Sequence, residues 1–253
     1  MATAADILQF IETIAPTSLK MEWDNVGLLC GREDKPVQTL LVALDPFTHV
    51  CEEAARMGAD LLVTHHPLIF QPLTAVTDQT TVGRAIMKLI ANDITAINAH
   101  TNLDCAEGGV NDTLANLLDL TDVSVIGSDN LLRMGCFEST LPAFLDHIKA
   151  KLGCEGLRYV DGGKPVCRVA VGGGACGSEL ADVIAAGCDT FVTADVKYNQ
   201  FCDAKELSIN LIDAGHFCTE NPVVAVLAAK LQAQFPQVEV KISQSHTDCV
   251  KYY

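Results

Sequence analysis

With 253 residues, 49% hydrophobic and 19% charged, the chain is long enough for one large domain or two ordinary ones and too apolar for bulk disorder. Its 32 acidic against 17 basic side chains leave a formal charge of −15, a balance that repels phosphate backbones and argues against nucleic-acid binding. Eleven cysteines, an odd number without a CxxC pair, fit reduced thiols better than a disulfide scaffold. No apolar run approaches the roughly 18 residues of a membrane helix. The opening residues lack the basic flank and apolar centre of a signal peptide, so a soluble, cytoplasmic protein is expected.

Taken in chain order, residues 23–31 put Trp23, Asp24 and Asn25 before a strand-like run. Residues 39–45 form a short β-branched, Leu-rich strand pattern, and 48–58 have helical spacing ending in Gly58. Residues 60–66 are again apolar and strand-like, 81–93 helical, and 95–101 strand-like. A helix over 111–120 and a short strand over 123–127 follow. The second half repeats the alternation, with strands at 167–171, 190–195 and 211–213, helices at 179–187 and 222–235, and a last strand at 238–242.

Continuous apolar strands separated by amphipathic helices predict an α/β protein built on mainly parallel sheets flanked by helices. The halves resemble each other: 57–66 lines up with 186–195, and 96–100 with 211–216. An internal repeat of one β-α-β-α-β-α-β unit is expected, giving two similar α/β domains, 1–126 and 127–253, with the break near 126–130.

Chemistry-bearing residues collect just past the strand patterns. His65 and His66 end one, His100 and Asp104 follow another, and His216 and Glu220 follow a third. In open α/β sheets ligands bind beyond the carboxyl ends of strands, so these residues can meet in a cleft between the domains. Imidazole and carboxylate are the ligands that a two-metal site needs. Each motif also has a plainer account. With Pro67 holding His66 extended, the two rings can diverge towards separate ions, and the plainer account is a polar strand end that bonds loop backbone. Asp104 could cap a turn, and Glu220 could favour a helix N-terminus. With Pro222 next to Asn221, His216 and Glu220 are expected to span a loop entering a helix. Coincidence favours the metal: four of seven histidines fall on matching strand ends. His49, His147 and His246 are read as a helix first turn, a helix face and a tail.

Gly172, Gly174 and Gly177 fit G-x-G-x-x-G between a strand and a helix, with Asp195 ending the next strand. That context suits dinucleotide phosphate, and equally a tight structural turn. The single Trp23 is expected in the core. Lys197 and Tyr198 follow Asp195 and could contact an anion or stand in a solvated loop.

Together WDNVGL, THHPLIF, AHTNLD with GGVND, the Gly-rich turn, TADVKY and DAGHFCTE resemble, in order and over nearly the whole chain, the Nif-three-like family, also called GTP cyclohydrolase I type 2 homologues. The resemblance implies two similar α/β domains, a dinuclear metal centre between them and a toroidal homohexamer arranged as a trimer of dimers. It assigns His65, His66, Asp104, His216 and Glu220 as ligands of two divalent ions (Zn, Mn, Fe or Ni), with Glu220 as the bridge and His100 close by. The chain departs from many relatives at Asn199, where they carry histidine, and has no space for the extra domain some contain.

The expected activity is metal-dependent hydrolysis of a nucleotide or related small molecule, such as ring opening of GTP. His100 and Asp24 are candidates for catalytic acid–base work, and Lys197 for contact with an anionic substrate. The alternative is a non-enzymatic metal-handling or regulatory protein. A nicotinamide-dependent oxidoreductase would rest on the Gly-rich turn alone.

Overall fold

The computed structural model describes the whole chain, Met1–Tyr253. The chain divides into two compact units, residues 1–107 with 223–247, and residues 108–222 with 248–253. In the first unit the elements run α1 (Ala4–Ile14), β1 (Gly27–Cys30), β2 (Thr39–Ala43), α2 (Thr48–Met57), β3 (Leu61–Thr64), α3 (Thr81–Ala91), β4 (Thr95–Asn98) and α4 (Thr101–Cys105). In the second they run α5 (Val110–Leu117), β5 (Thr121–Ile126), β6 (Leu132–Ser139), α6 (Leu141–Leu152), β7 (Arg158–Val160), β8 (Val166–Val171), α7 (Leu180–Ala185), β9 (Thr190–Thr193), α8 (Tyr198–Glu206), β10 (Asn210–Asp213) and α9 (His216–Glu220). The chain then forms α10 (Pro222–Gln234) and β11 (Glu239–Ile242), which complete the first unit.

The first sheet has the order β1-β4-β3-β2-β11, with β4, β3, β2 and β11 parallel and β1 antiparallel at the edge. Every residue of β3 and β4 is buried, polar Thr64, Thr95 and Asn98 included, as strands covered on both faces require. Leu41 and Leu62 pack with Val50, Cys51 and Ala54 of α2 and with Leu89 of α3. Each such side chain contributes about 1.5–3 kcal/mol when removed from water. Local signals set the helix ends. Thr3 and Asp6 form a reciprocal capping box on α1, and α2 stops at Gly58, whose φ of 69° is left-handed.

The second sheet has the order β5-β6-β8-β9-β10-β7. Strands β8, β9 and β10 are parallel, while β7 is antiparallel to β10 and β6 to β8. The internal repeat is therefore topological: β1-β2-β3-β4 and β7-β8-β9-β10 each make three parallel strands with their first strand antiparallel at the end.

The partition differs from a break at 126/127. That point lies between β5 and β6, which pair antiparallel with Ile126 opposite Leu132. The last strand of each half also joins the sheet built by the other half. β5 enters the second sheet through β6, and β11 pairs with β2, Val240 opposite Leu40.

The segment after β11 is fastened by Glu53 of α2. Its carboxylate accepts from Ser243 Oγ at 2.5 Å, Ser245 Oγ at 2.6 Å and the Gln244 amide at 2.9 Å. Burial opposes the charge, but these hydrogen bonds outweigh it and lower the carboxyl to about 2. A carboxyl depressed on folding stabilises above its unfolded value and loses that contribution as pH falls towards 2. Glu53→Gln is expected to cost about 1–2 kcal/mol at pH 7, with the difference from wild type shrinking between about pH 4.5 and 2 in urea titrations.

Candidate metal centre

In the first unit the imidazoles gather where β3 and β4 end. The amides of His65 and His66 donate to Ala43 and Leu44 carbonyls at 3.3 and 2.9 Å, which keeps the backbone extended past β3. Thr64 Oγ1 donates to the His66 carbonyl at 2.7 Å and closes the turn. Adjacent strand side chains would face opposite ways, but here the His65 and His66 rings lie 4.9 Å apart, with His100 at 5.3 and 5.5 Å. One ligand atom from each lies within 4.8 Å of the others, so this trio could hold a metal ion. Asp104, on one-turn helix α4, places Oδ1 3.5 Å from His65 Nε2, and both side chains are buried.

In the second unit His216 and Glu220 occupy one helical turn, α9, rather than the expected loop. Pro222 does not prevent this, because it is the first residue of α10, where its missing N–H costs nothing. Asn221 before it is right-handed helical, and its amide is satisfied by the Phe217 carbonyl at 2.8 Å. His216 Nε2 lies 2.9 Å from Glu220 Oε2.

The Gly-rich turn packs against this pair. A Cβ on Gly173 would meet Val110 and Glu220, and one on Gly174 would meet the Glu220 carboxylate and His216 Nε2. Gly174 is also left-handed, with φ at 65°. Four of the turn's amides already have acceptors within the fold. Gly172 donates to Val192 O at 3.0 Å, Gly173 to Asn111 Oδ1 at 2.7 Å, Gly174 to Thr219 Oγ1 at 3.1 Å and Cys176 to Thr193 Oγ1 at 3.1 Å. At Gly177, Gln200 occupies the place of a Cβ. The turn makes room for Glu220 and His216, a packing reason for Gly173 and Gly174 that matches the structural-turn alternative.

One pattern runs through all four histidines. His65 Nδ1 bonds the Ala99 carbonyl at 2.9 Å, His66 Nδ1 bonds Asp45 at 2.7 Å, His100 Nδ1 bonds Asp24 at 2.8 Å and His216 Nδ1 bonds Asp195 at 2.8 Å. Carbonyls and carboxylates only accept, so each Nδ1 carries the proton and Nε2 becomes the ligand-side nitrogen. His216 Nε2 then faces the Glu220 carboxyl group at 2.9 Å, a contact that needs a proton on one of the two groups or a cation between them.

Asp24 is buried, and its carboxylate also accepts from the Thr101 amide at 3.0 Å and from the Thr101 hydroxyl. Burial works against its charge, yet the bonds from His100 and Thr101 hold it well below the usual carboxylate range. Asp24 thus orients His100, a duty the acid–base expectation did not include. Asp45 and His246 escaped sequence reasoning. His246 Nε2 lies 2.9 Å from the Asp45 oxygen that His66 does not use, and Phe47 stacks on its ring at 5.7 Å. Burial opposes the Asp45 charge too, but His246 and His66 together hold it well below the ordinary range. Asp45 ends the apolar run 39–45, as the candidate histidines end theirs, and that was the available signal. Lys197 lies exposed before α8, where its amide donates to Gln200 at 2.8 Å, and Asn199 is exposed beside it. Trp23 is 63% exposed, contrary to a core role.

The family model described as Duf34/NIF3 (NGG1p interacting factor 3) matches residues 2–249. The chain belongs to the Duf34/NIF3 family. A Clostridium perfringens protein called GTP cyclohydrolase 1 type 2 homolog is 36% identical over 254 residues, covering 96% of this chain and 97% of that protein. A Streptomyces coelicolor protein of the same description is 36% identical, covering 91% and 86%. Among solved structures, a Bacillus cereus protein related to NIF3 superimposes with a TM-score of 0.93 at 26% identity, covering 100% and 99%. Reduced HcgD from Methanocaldococcus jannaschii gives 0.84 at 31% identity, covering 96% and 98%. As in this family fold, the two sheets are flanked by helices, none long and apolar enough to cross a membrane.

Gly174→Ala combines a left-handed backbone with overlap on Glu220. It is expected to lower stability by about 1–3 kcal/mol, measured by urea unfolding against Gly163→Ala, where φ is also positive but nothing lies near the added carbon.

Proposed function

We propose that this chain is a metal-dependent hydrolase of a nucleotide or related small molecule, binding two divalent cations through His65, His66, Asp104, His216 and Glu220. The observation that carries this reading is the commitment of every candidate imidazole's Nδ1 to an acceptor of the fold. Ligand histidines are held in this way, with the second nitrogen fixing tautomer and ring direction. Gly174 adds support, since it leaves Glu220 and His216 room that any side chain would fill. Imidazole and carboxylate donors suit Zn, Mn, Fe or Ni. Such ions, when bound, supply Lewis acidity and let water ionise near neutral pH.

The chain's own residues have separable duties. Asp45, Asp24, Asp195 and the Ala99 carbonyl aim the rings. His100, adjacent to His65 and His66, is the candidate for accepting or delivering a proton through Nε2, while Asp24 holds its other nitrogen. Lys197, exposed after Asp195, is the candidate contact for an anionic substrate group. The nucleotide class comes from the relatives called GTP cyclohydrolase 1 type 2 homolog. Assembly as a toroidal homohexamer belongs to the same reading, with light scattering of the purified chain as its test.

Elemental analysis of the purified chain is expected to find about two equivalents of transition metal, lost in His65→Ala and in Glu220→Ala. Metal accompanied by GTP hydrolysis would support the enzyme, and metal without turnover of any nucleotide would favour metal handling. A chain that stays metal-free after incubation with Zn, Mn and Fe would overturn the proposal. His246→Ala and Asp45→Ala, which loosen His66 without removing a ligand, are expected to weaken cation affinity roughly 10–100-fold in competition titrations.

A further inference from the structure

Trp23, the only tryptophan, stands 63% exposed, and Phe70 is 45% exposed. Their centroids are 5.8 Å apart with planes at 75°, an L-shaped corner of two aromatic walls. His100 closes it, 6.2 Å from Trp23 and 6.1 Å from Phe70. Leaving two large rings in water costs the burial free energy they would otherwise contribute, so their position beside the imidazole cluster calls for an occupant.

The walls are also fixed in place. Asn25 Nδ2 donates to the Ile69 carbonyl at 2.6 Å and ties the Trp23 segment to the one carrying Phe70. Asn98 Nδ2 donates to the Asn25 carbonyl at 3.2 Å, and the Met21 amide donates to Thr101 Oγ1 at 3.0 Å. Both sides of the corner are thereby anchored to β4 and α4, so a ligand need not order them.

We propose that Trp23 and Phe70 form a stacking platform for a flat heteroaromatic ring, with His100 at its edge. One flat ring can lie on either wall and meet the other with its rim, the offset and edge-to-face contacts that aromatic groups prefer. The imidazole supplies the polar contact that a ring bearing nitrogen and oxygen needs and a hydrocarbon does not. This rests on the hydrolase reading and deepens it, because a purine held here has its ring beside His65, His66 and His100.

The sole tryptophan reports the event directly. With excitation at the red edge of tryptophan absorption, guanosine added to the full chain is expected to quench emission saturably, while ribose 5-phosphate leaves it unchanged. Base–aromatic stacking strength makes Phe70→Ala weaken guanosine binding roughly 5- to 100-fold, with circular dichroism matching wild type. Absence of saturable quenching by guanosine, equal quenching by ribose 5-phosphate, or unchanged affinity in a folded Phe70→Ala would overturn the platform. So would emission that shifts with protein concentration alone, the mark of a second copy covering the corner. Guanosine quenching that survives in a metal-free, inactive His65→Ala chain upholds the platform independently of the hydrolase. GTP turnover by wild type without guanosine quenching sinks the platform and leaves the hydrolase standing.

Discussion

A neutral imidazole has one proton and one lone pair, and the atom that takes the proton decides what the other nitrogen can do. In this chain the Ala99 carbonyl and the carboxylates of Asp45, Asp24 and Asp195 accept hydrogen bonds from the Nδ1–H groups of His65, His66, His100 and His216. Much of the local architecture derives from that constraint. Asp45 must end β2's apolar run, Asp24 must be carried in by the segment before β1, and Asp195 must occupy a left-handed position after β9, with φ at 50°. Burial opposes the charge on Asp24 and Asp45, and the imidazole hydrogen bonds offset it.

The fold meets this requirement twice with similar parts. After β4, His100 precedes a single helical turn that presents Asp104 four residues later. After β10, His216 opens a single turn that presents Glu220 four residues later. One turn of helix brings i and i+4 side chains to the same side. The halves differ just beyond β3 and β9. His65 and His66 are matched by Ala194 and Asp195, so the second copy supplies an orienting carboxylate where the first supplies ligand candidates.

Much of this was legible in sequence, for physical reasons. Parallel strands covered on both faces are predominantly apolar, which marks β2, β3, β4, β8, β9 and β10, and the imidazoles follow the ends of β3, β4 and β10. The hidden features depended on distant partners. His246 looked like a tail residue because its acceptor, Asp45, lies 201 positions away. Pro222 points to a loop from His216 to Glu220, but the backbone uses it to begin α10 directly after α9. G-x-G-x-x-G suits an anion nest and a tight turn equally, and the hydrogen bonds from its amides to Asn111, Thr219 and Thr193 cannot be seen in the motif. Short, exposed β11 gave no hint that its partner was β2.

The pairing of β11 with β2 also orders events during synthesis. Strands β1 to β4 leave the ribosome first, yet β2 keeps an open edge until Glu239–Ile242 emerge nearly two hundred residues later. The second sheet has all six of its strands once Asp213 is made, so the unit begun later can be complete earlier. An open parallel edge in a half-made chain invites pairing with other chains. This protein therefore passes through a long interval of translation in which the β2 edge needs shielding, by transient local structure or by a chaperone.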